Sequence, residues 1–328
     1  MIDRRAFIAN LTLTLLSAPL AAGAQQAVKV YRVGTLTIGF RDPTQPDWWQ
    51  PFIDAMRELG YVEGRNLFLK RAVAAGQPER LAGLADDLVR AQVDVIVTTS
   101  WRETQAAMQA TSTIPIVMTF APDPVGQGLV TTLARPGGNV TGLTYLVPGL
   151  RQKYVELLKE VVPSALRFGV IATPPSLVPE HLRELEPAAK ALGVSLSLLS
   201  VRSPDEFEAA LIRARRDGAT GIIATPDPVT FQHRHEFVRL MLKHRLPAIY
   251  WAREYVEVGG LMTYSANLVN LRRRAAIFVD KILKGAKPAD LPVEQPTEFD
   301  LVINLKTAKA LSLKIPQSVL VRADEIIQ

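Results

Sequence analysis

The 328-residue sequence contains no cysteine. A chain without thiols forms no disulfide, has no catalytic thiol and offers no thiolate ligand to a metal ion. It also lacks the cysteine to which a lipid anchor would be attached after removal of a signal peptide. Disulfide scaffolds, thiol enzymes and a lipid anchor attached through cysteine are therefore excluded.

Long apolar runs and common catalytic motifs are also missing. After residue 24, no segment approaches the roughly 18 apolar residues of a membrane span, so we predict none in the mature chain. The sequence has no G-x-S-x-G, no G-x-x-x-x-G-K and no G-x-G-x-x-G after its first predicted strand. His233 and His235 would point to different sides of a helix and cannot readily share a metal ion. We therefore predict no cofactor, no metal site and no enzymatic activity.

Charge is moderate, with 21% charged residues, 48% apolar residues and a formal net charge of +6. The basic excess is spread along the chain. The one basic triplet, Arg272-Arg273-Arg274, falls within a helical pattern, and we interpret it as a solvated helix face instead of a nucleic-acid stripe. We expect no nucleic-acid partner.

The first 24 residues have the pattern of an export signal. Arg4 and Arg5 precede the apolar stretch 11–22, and the small triplet 22–24 would place cleavage before Gln25. The residues around Arg4 and Arg5 also resemble a twin-arginine signal, with an ordinary secretory signal as the alternative. Either route predicts a mature protein in the periplasm.

From residue 31 onward, apolar runs of strand length alternate with amphipathic stretches of helix length. Strands this apolar are usually buried on both faces of a parallel sheet. Because the scheme repeats in both halves, we predict an α/β fold of two doubly wound parallel-sheet lobes joined by three crossings. The predicted strands are 31–38, 67–73, 93–100, 114–120, 140–146, 168–172, 195–201, 221–225, 248–251, 260–264 and 299–304.

The domain division follows from the end of the chain, where the repetition stops. A long amphipathic helix at 268–285 is assigned to the first lobe and the last strand to the second. Lobe 1 then contains residues 25–143 plus about 265–288, and lobe 2 contains 144–264 plus about 289–328. Such a clamp can hinge around a cleft.

The motif Pro-Asp-Pro-Val occurs twice, at 122–125 and 226–229. Each copy follows an apolar run and precedes a helical pattern, so Asp123 and Asp227 are predicted N-caps with proline at the first helical position. Helix starts beyond strand ends bind anions and polar ligands in open α/β sheets. The repeat indicates two similar lobes facing one cleft.

Longer motifs carry a family resemblance. They are ELGYVEGRNL at 58–67, STIPIV at 112–117, DPVGQGLV at 123–130, LARPGGNVTGL at 133–143, RLPAIYWAREYVEVGGLMTYSANL at 245–268 and IPQSVLVRADEII at 315–327. Over essentially all of the mature chain, the sequence resembles the bacterial ABC-transporter substrate-binding protein family that includes the tryptophan-binding TrpX-type proteins.

The resemblance implies a type I periplasmic-binding-protein fold with a small ligand held between closing lobes. It also implies delivery to an ABC permease driven by a cytoplasmic ATPase. Some relatives bind aromatic amino acids, so a small polar or aromatic, amino-acid-like ligand is expected. Where the family often has small residues after the third strand, this chain has Ser100-Trp101-Arg102, which implies a pocket of different size or polarity.

Candidate ligand contacts lie in the loops after the strands, where open α/β sheets bind their ligands. We expect Ser100 and Ala121 to capture an anion and Asp227 or Glu254 to receive an amino group. Planar rings would stack on Trp101, Phe231, Trp251 and Tyr264. The full set is Thr37, Phe40, Thr99, Ser100, Trp101, Phe120, Ala121 and Asp123 in lobe 1, with Thr173, Thr225, Asp227, Phe231, Trp251, Glu254 and Tyr264 in lobe 2.

Several of these residues also have a purely structural interpretation. Asp123 and Asp227 are fully accounted for as helix caps, and Trp101 and Trp251 as packing between lobes. Arg253 and Glu254 could pair with each other at the surface. Of Trp48 and Trp49, one could cover the cleft while the other packs under the first helix.

Two other functions remain open beside a monomeric periplasmic solute-binding protein of an ABC importer. One is an exported sensor-type protein that presents its bound ligand to a receptor. The other is an exported α/β hydrolase that uses Asp123 with Asp227 or Glu254 as an acid/base pair across the cleft.

Overall fold

The computed structural model describes residues 29–39, 48–145, 147, 149–172 and 178–328. The export signal predicted at 1–24 lies outside these ranges, and so do the candidate residues Phe40 and Thr173. Within the described ranges, no helix combines the length and apolar character needed to span a bilayer.

Strands and helices alternate along the described chain. The strands are β1 Tyr31–Thr37, β2 Leu67–Val73, β3 Val95–Thr98, β4 Ile116–Ala121, β5 Val140–Thr144, β6 Arg167–Ala172, β7 Ser195–Ser200, β8 Gly221–Ala224, β9 Ala248–Tyr250, β10 Met262–Ala266, β11 Phe299–Asn304 and β12 Glu325–Ile327. The helices are α1 Gln50–Glu58, α2 Leu81–Arg90, α3 Trp101–Ala110, α4 Leu150–Val161, α5 Val178–Ala191, α6 Phe207–Arg216, α7 Pro228–Gln232, α8 Arg234–Lys243, α9 Arg253–Glu257, α10 Leu268–Leu283, α11 Leu305–Ala310 and α12 Gln317–Leu320.

The first sheet has five parallel strands in the order β2-β1-β3-β4-β5. Its central strands are buried on both faces. Val95 and Val97 belong to one apolar cluster, whereas Ile96 between them belongs to another on the opposite face. Two buried faces explain why these strands are continuous apolar runs in the sequence.

The second sheet has the order β12-β11-β10-β9-β8-β6-β7. Strand β10 is antiparallel to β11, and the other neighbouring pairs are parallel. The predicted α/β fold with two parallel-dominated sheets is therefore confirmed. Strand β12 was absent from the prediction because three residues at the chain end give too short a pattern.

Helix α10 returns the chain to the first sheet after β10. It packs on helix α1 and on strands β3, β4 and β5. Its buried residues Leu268, Leu271, Ala275 and Val279 recur at helical spacing, which gives one apolar face. The Asn267 side chain accepts the N–H of Asn270 and caps the first turn.

After α10, the chain runs beside the first sheet before it reaches β11. The N–H of Thr144 donates to the carbonyl of Glu294 at 3.0 Å, and the N–H of Glu294 donates to the carbonyl of Gly142 at 3.0 Å. The division of the lobes near residue 289 stays a prediction, and these hydrogen bonds favour a crossing a few residues later.

Candidate functional site

Aromatic rings from both sheets meet between the lobes. Phe120 of β4 stacks on Tyr145 with centroids 3.9 Å apart and lies 5.7 Å from Trp251, which follows β9. Phe231 of α7 lies 5.1 Å from Trp251 and 5.9 Å from Trp48, the second residue before α1. These five rings, here named the ring cluster, join elements of the first sheet to elements of the second.

A chain of hydrogen bonds fixes the orientation of Trp251. Its Nε1 donates to the hydroxyl of Tyr255 at 3.2 Å, and that hydroxyl lies 2.9 Å from the hydroxyl of Thr230. The N–H of Thr230 donates to Oδ1 of Asp227 at 2.7 Å. Asp227 is thus the N-cap of α7, as its sequence context predicts.

The ring cluster leaves little free space. Phe120, Tyr145 and Trp251, together with residues of α4, β10 and α10, border a cavity of about 10 Å³. This volume is enough for about one water molecule. Ordinary ligand pockets measure roughly 300–1,000 Å³. A larger molecule can therefore occupy this place only after the rings have moved apart.

A buried carboxylate organises the strand ends of the first sheet. Glu103 of α3 is fully buried, and its Oε1 accepts the N–H of Ile38 at 2.9 Å and the hydroxyl of Thr99 at 2.5 Å. The Ser100 hydroxyl donates to Oε2 of the same carboxylate. Thr99 also lies 3.3 Å from the hydroxyl of Thr37, so three candidate residues gather around Glu103.

Glu103 changes what Ser100 can offer to a ligand. The hydroxyl proton of Ser100 is directed at the carboxylate, so its lone pairs remain for the cleft, and they attract a donor instead of an anion. The sequence interpretation missed Glu103 because it considered only the loops after strands. The sequence did contain a signal for this contact, because the hydroxyl residues Thr99 and Ser100 lie four and three positions before Glu103.

The first Pro-Asp-Pro-Val copy does not begin a helix, and the predicted N-cap at Asp123 is wrong in this respect. Residues 124–128 form turns, and Oδ1 of Asp123 accepts the N–H of Gly126 at 2.9 Å. Gly128 has a φ of 68°, a conformation outside the helical region. Two glycines within the first five positions, Gly126 and Gly128, explain why the helix fails to form.

Ala121 and Thr225 are fully buried in the protein interior. Ala121 is fully buried in the apolar cluster beside the first sheet, and its carbonyl accepts the hydroxyl of Thr144 at 2.6 Å. The Thr225 hydroxyl donates to the carbonyl of Ile171 at 2.9 Å. Ala121 ends β4 and Thr225 directly follows β8, where the chain has not yet left the core.

Two further candidate rings lie outside the ring cluster. Trp101 packs against the apolar cluster beside the first sheet, and the guanidinium of Arg102 lies 5.3 Å from its ring centroid. Tyr264 of β10 stacks on Phe299 of β11 at 5.8 Å. Trp49 packs against Phe52 at 5.8 Å, under the first helix.

Arg272 on the second turn of α10 is buried, with 6% of its surface exposed. Its guanidinium lies 3.9 Å from the ring centroid of Trp48. Nε and Nη1 are buried without an acceptor anywhere in the described part of the chain. Burial lowers the pKa of Arg272 to about 10, against the opposing attraction of Glu254.

The interpretation of the basic triplet as a solvated face is thus wrong for Arg272. Its neighbours do lie at the surface, where Arg273 pairs with Glu58 and Arg274 with Glu294. Helical periodicity carried the missing signal, because position 272 falls on the same face as the buried apolar residues of α10.

Glu254 at the start of α9 is an acid whose charge attracts this cation. Its Oε2 is buried with no donor among the described residues, and burial raises the pKa of its carboxyl group. The suggested pairing of Arg253 with Glu254 is wrong, because Arg253 instead pairs with Glu257 at 2.9 Å and Glu325 at 2.7 Å.

In the residues that the structure describes, no group of three or more His, Asp or Glu side chains is arranged to hold a metal ion.

Comparison with known proteins places this geometry in context. A family model described as ABC transporter substrate binding protein matches residues 42–327. A tyrosine-binding protein of Clostridioides difficile is 28% identical over 266 residues, which are 80% of this chain and 76% of that protein.

Solved structures show the same architecture. A conserved domain protein from Vibrio cholerae is 30% identical with a TM-score of 0.83, and the match covers 91% of this chain and 100% of that one. An ABC domain from Streptococcus pneumoniae in complex with L-Trp is 27% identical with a TM-score of 0.82 and the same coverage. The predicted type I periplasmic-binding-protein fold is confirmed by these relatives.

Proposed function

Because the chain belongs to the family of ABC transporter substrate-binding proteins, we propose that it captures an aromatic amino acid, or a close analogue, between its two lobes. Proteins of this family are ligand-binding components of transporters and not enzymes. The proposed cycle places the mature protein in the periplasm, where it delivers its ligand to a membrane permease powered by an ATPase.

The ring cluster is the observation that carries the proposal. Rings held by both sheets offer faces and edges to a planar ligand, and each aromatic pair contributes about 0.5–1.5 kcal/mol beyond the area that it buries. Two relatives support the same ligand class, since one is a tyrosine-binding protein and the other was crystallised with L-Trp.

Ligand contacts from both lobes would also couple ligand binding to closure of the lobes. A ligand shifts an equilibrium between open and closed forms only by its difference in affinity for the two. A guest that contacts Phe120 on one lobe and Trp251 on the other makes its full set of contacts only when the lobes are closed. The closed form would then be the one presented to the permease.

Calorimetric titration of the purified mature chain with L-tyrosine, L-tryptophan and L-phenylalanine tests the proposal. L-lysine and D-ribose serve as controls without an aromatic ring. We expect at least one aromatic amino acid to bind and to raise the unfolding midpoint, since a ligand at 100 times its Kd adds about 2.7 kcal/mol. Absence of binding by all three at millimolar concentration would contradict it.

A further inference from the structure

We propose that Arg272 and Glu254 hold the two charged ends of a zwitterionic amino acid, the guanidinium taking the ligand carboxylate and the glutamate taking the ligand ammonium. This inference rests on the proposed function and specifies which chemical groups of the ligand are recognised. It assigns a binding role to two side chains that form no ion pair within 4.0 Å, with each other or with another group, among the residues that the structure describes.

The guanidinium of Arg272 is a buried cation with N–H donors that are free among the described residues and suit a planar anion such as a carboxylate. Its guanidinium is buried and lies over Trp48, and both Nε and Nη1 lack an acceptor in the described chain. A buried charge without hydrogen bonds is costly, and proteins rarely retain one unless a partner completes it. The fork of guanidinium N–H groups matches a carboxylate in two parallel hydrogen bonds.

The Glu254 side supplies the complementary acceptor. Its buried Oε2 has no donor in the described chain, although the charges of Arg272 and Arg234 attract it and that of Glu257 repels it. An ammonium group carries three donors and a full positive charge. It would satisfy this oxygen and offset the cost of burying the carboxylate.

The two groups come from different lobes. Arg272 is on α10, which packs on the first sheet, and Glu254 is on α9, which packs on β9 and β10 of the second. Their charges attract, yet no ion pair within 4.0 Å joins these two described residues. A ligand that bears both charges would bridge them and thereby favour closure.

The site is continuous with the ring cluster. Arg272 contacts Trp48, Trp48 meets Phe231 edge to face, and Phe231 meets Trp251. A zwitterionic backbone at the Arg272 end would therefore direct an aromatic side chain along these rings. This arrangement accounts for charge recognition and ring recognition within one cleft.

Titration of each of two variants with each of three ligands tests the assignment. The variants Arg272→Met and Glu254→Gln are titrated with L-tyrosine, tyramine (no carboxylate) and 3-(4-hydroxyphenyl)propanoate (no amine), and weak ligands are measured by displacement of L-tyrosine. If wild-type protein prefers L-tryptophan, then tryptamine and indole-3-propanoate replace the two analogues. Arg273→Met and Glu257→Gln are matched controls on the same two helices, and both are paired at the surface.

We expect Arg272→Met to weaken amino-acid binding about 10- to 100-fold while it changes tyramine binding less than about threefold. Glu254→Gln should weaken amino-acid binding similarly and leave the propanoate nearly unaffected. The control variants should bind like the wild type. Unchanged amino-acid affinity in Arg272→Met, or equal losses for all three ligands, would overturn the assignment while the proposed function stands.

The unfolding midpoints of the variants without ligand provide an independent test. Arg272→Met removes a buried charge without acceptors, so its unfolding midpoint without ligand should equal or exceed that of the wild type. A residue that merely ties the lobes together would show a lowered midpoint instead, and that result would also overturn the assignment. If wild-type protein binds no aromatic amino acid at all, the proposed function and this inference fail together.

Discussion

The carboxylate of Glu103 on helix α3 accepts the backbone N–H of Ile38 at 2.9 Å, so a fully buried acid holds the end of β1 beside the end of β3. Glu103→Ala leaves that N–H and the hydroxyls of Thr99 and Ser100 without their acceptor. We expect the variant to lose about 3 kcal/mol of unfolding free energy, as measured by urea denaturation.

Asp86→Ala is the matched control, since Asp86 is an exposed acid on the neighbouring helix α2. Its effect should stay within about 0.5 kcal/mol. Equal stability of the Glu103→Ala variant and the wild type would show that the buried network contributes nothing.

Removal of the central ring should weaken ligand binding without unfolding the protein. Trp251→Leu retains an apolar side chain but loses the contacts with Phe120 and Phe231. We expect affinity for an aromatic amino acid to fall by about 1–3 kcal/mol, measured by calorimetry. Phe68→Leu replaces an exposed ring on β2 and should bind like the wild type. Unaltered binding by Trp251→Leu would remove the ring cluster from the site.

The buried carboxyl group of Glu254 predicts a pH dependence of stability. Burial raises its pKa, so the folded state binds this proton more tightly than the unfolded state. Its contribution to stability therefore falls as the pH rises above the ordinary glutamate pKa of about 4.3. Glu254→Gln cannot ionise, so it should be more stable than the wild type near pH 7, with a smaller advantage near pH 4.

Thermal unfolding of ligand-free wild type and Glu254→Gln across this pH range measures the effect. Glu257→Gln, an exposed substitution on the same helix, should show no such trend with pH. A Glu254→Gln advantage that grew toward acid pH would have the wrong sign and would contradict the prediction.

Strand β5 depends on a glycine. Gly142 has a φ of 127°, and a Cβ there would collide with the carbonyl oxygen of Met118 on β4. We expect Gly142→Ala to cost about 3 kcal/mol or more of unfolding free energy by urea denaturation. Gly138→Ala meets open space and has no positive φ, so its effect should stay within about 1 kcal/mol. Similar midpoints for the two variants would contradict the argument.

The layout of strands was accessible from the sequence because burial on both faces leaves continuous apolar runs, as in β3 and β4. Side-chain roles were less accessible. The two copies of Pro-Asp-Pro-Val look alike, yet only Asp227 precedes a helix, since the residues after Asp123 include two glycines. Local pattern determined the elements, whereas tertiary context decided which polar groups are enclosed.

Arg272 and Glu103 illustrate the same limit. Arg272 stands in a run of three arginines, a pattern typical of a solvent-exposed helix face. Its burial against Trp48 is indicated only by its position on the apolar face of α10. One partner of Glu103, the N–H of Ile38, lies 65 positions earlier in the sequence. A pattern read over a short window of sequence cannot detect a contact between residues so far apart. The family motifs specified the fold without specifying these contacts.

The one-water cavity among Phe120, Tyr145 and Trp251 has a kinetic consequence. While those rings touch, nothing larger than a solvent molecule fits between them, so each successful encounter has to wait for the halves to separate. At high solute concentration the observed association rate should then level off at the frequency of spontaneous opening instead of climbing without limit.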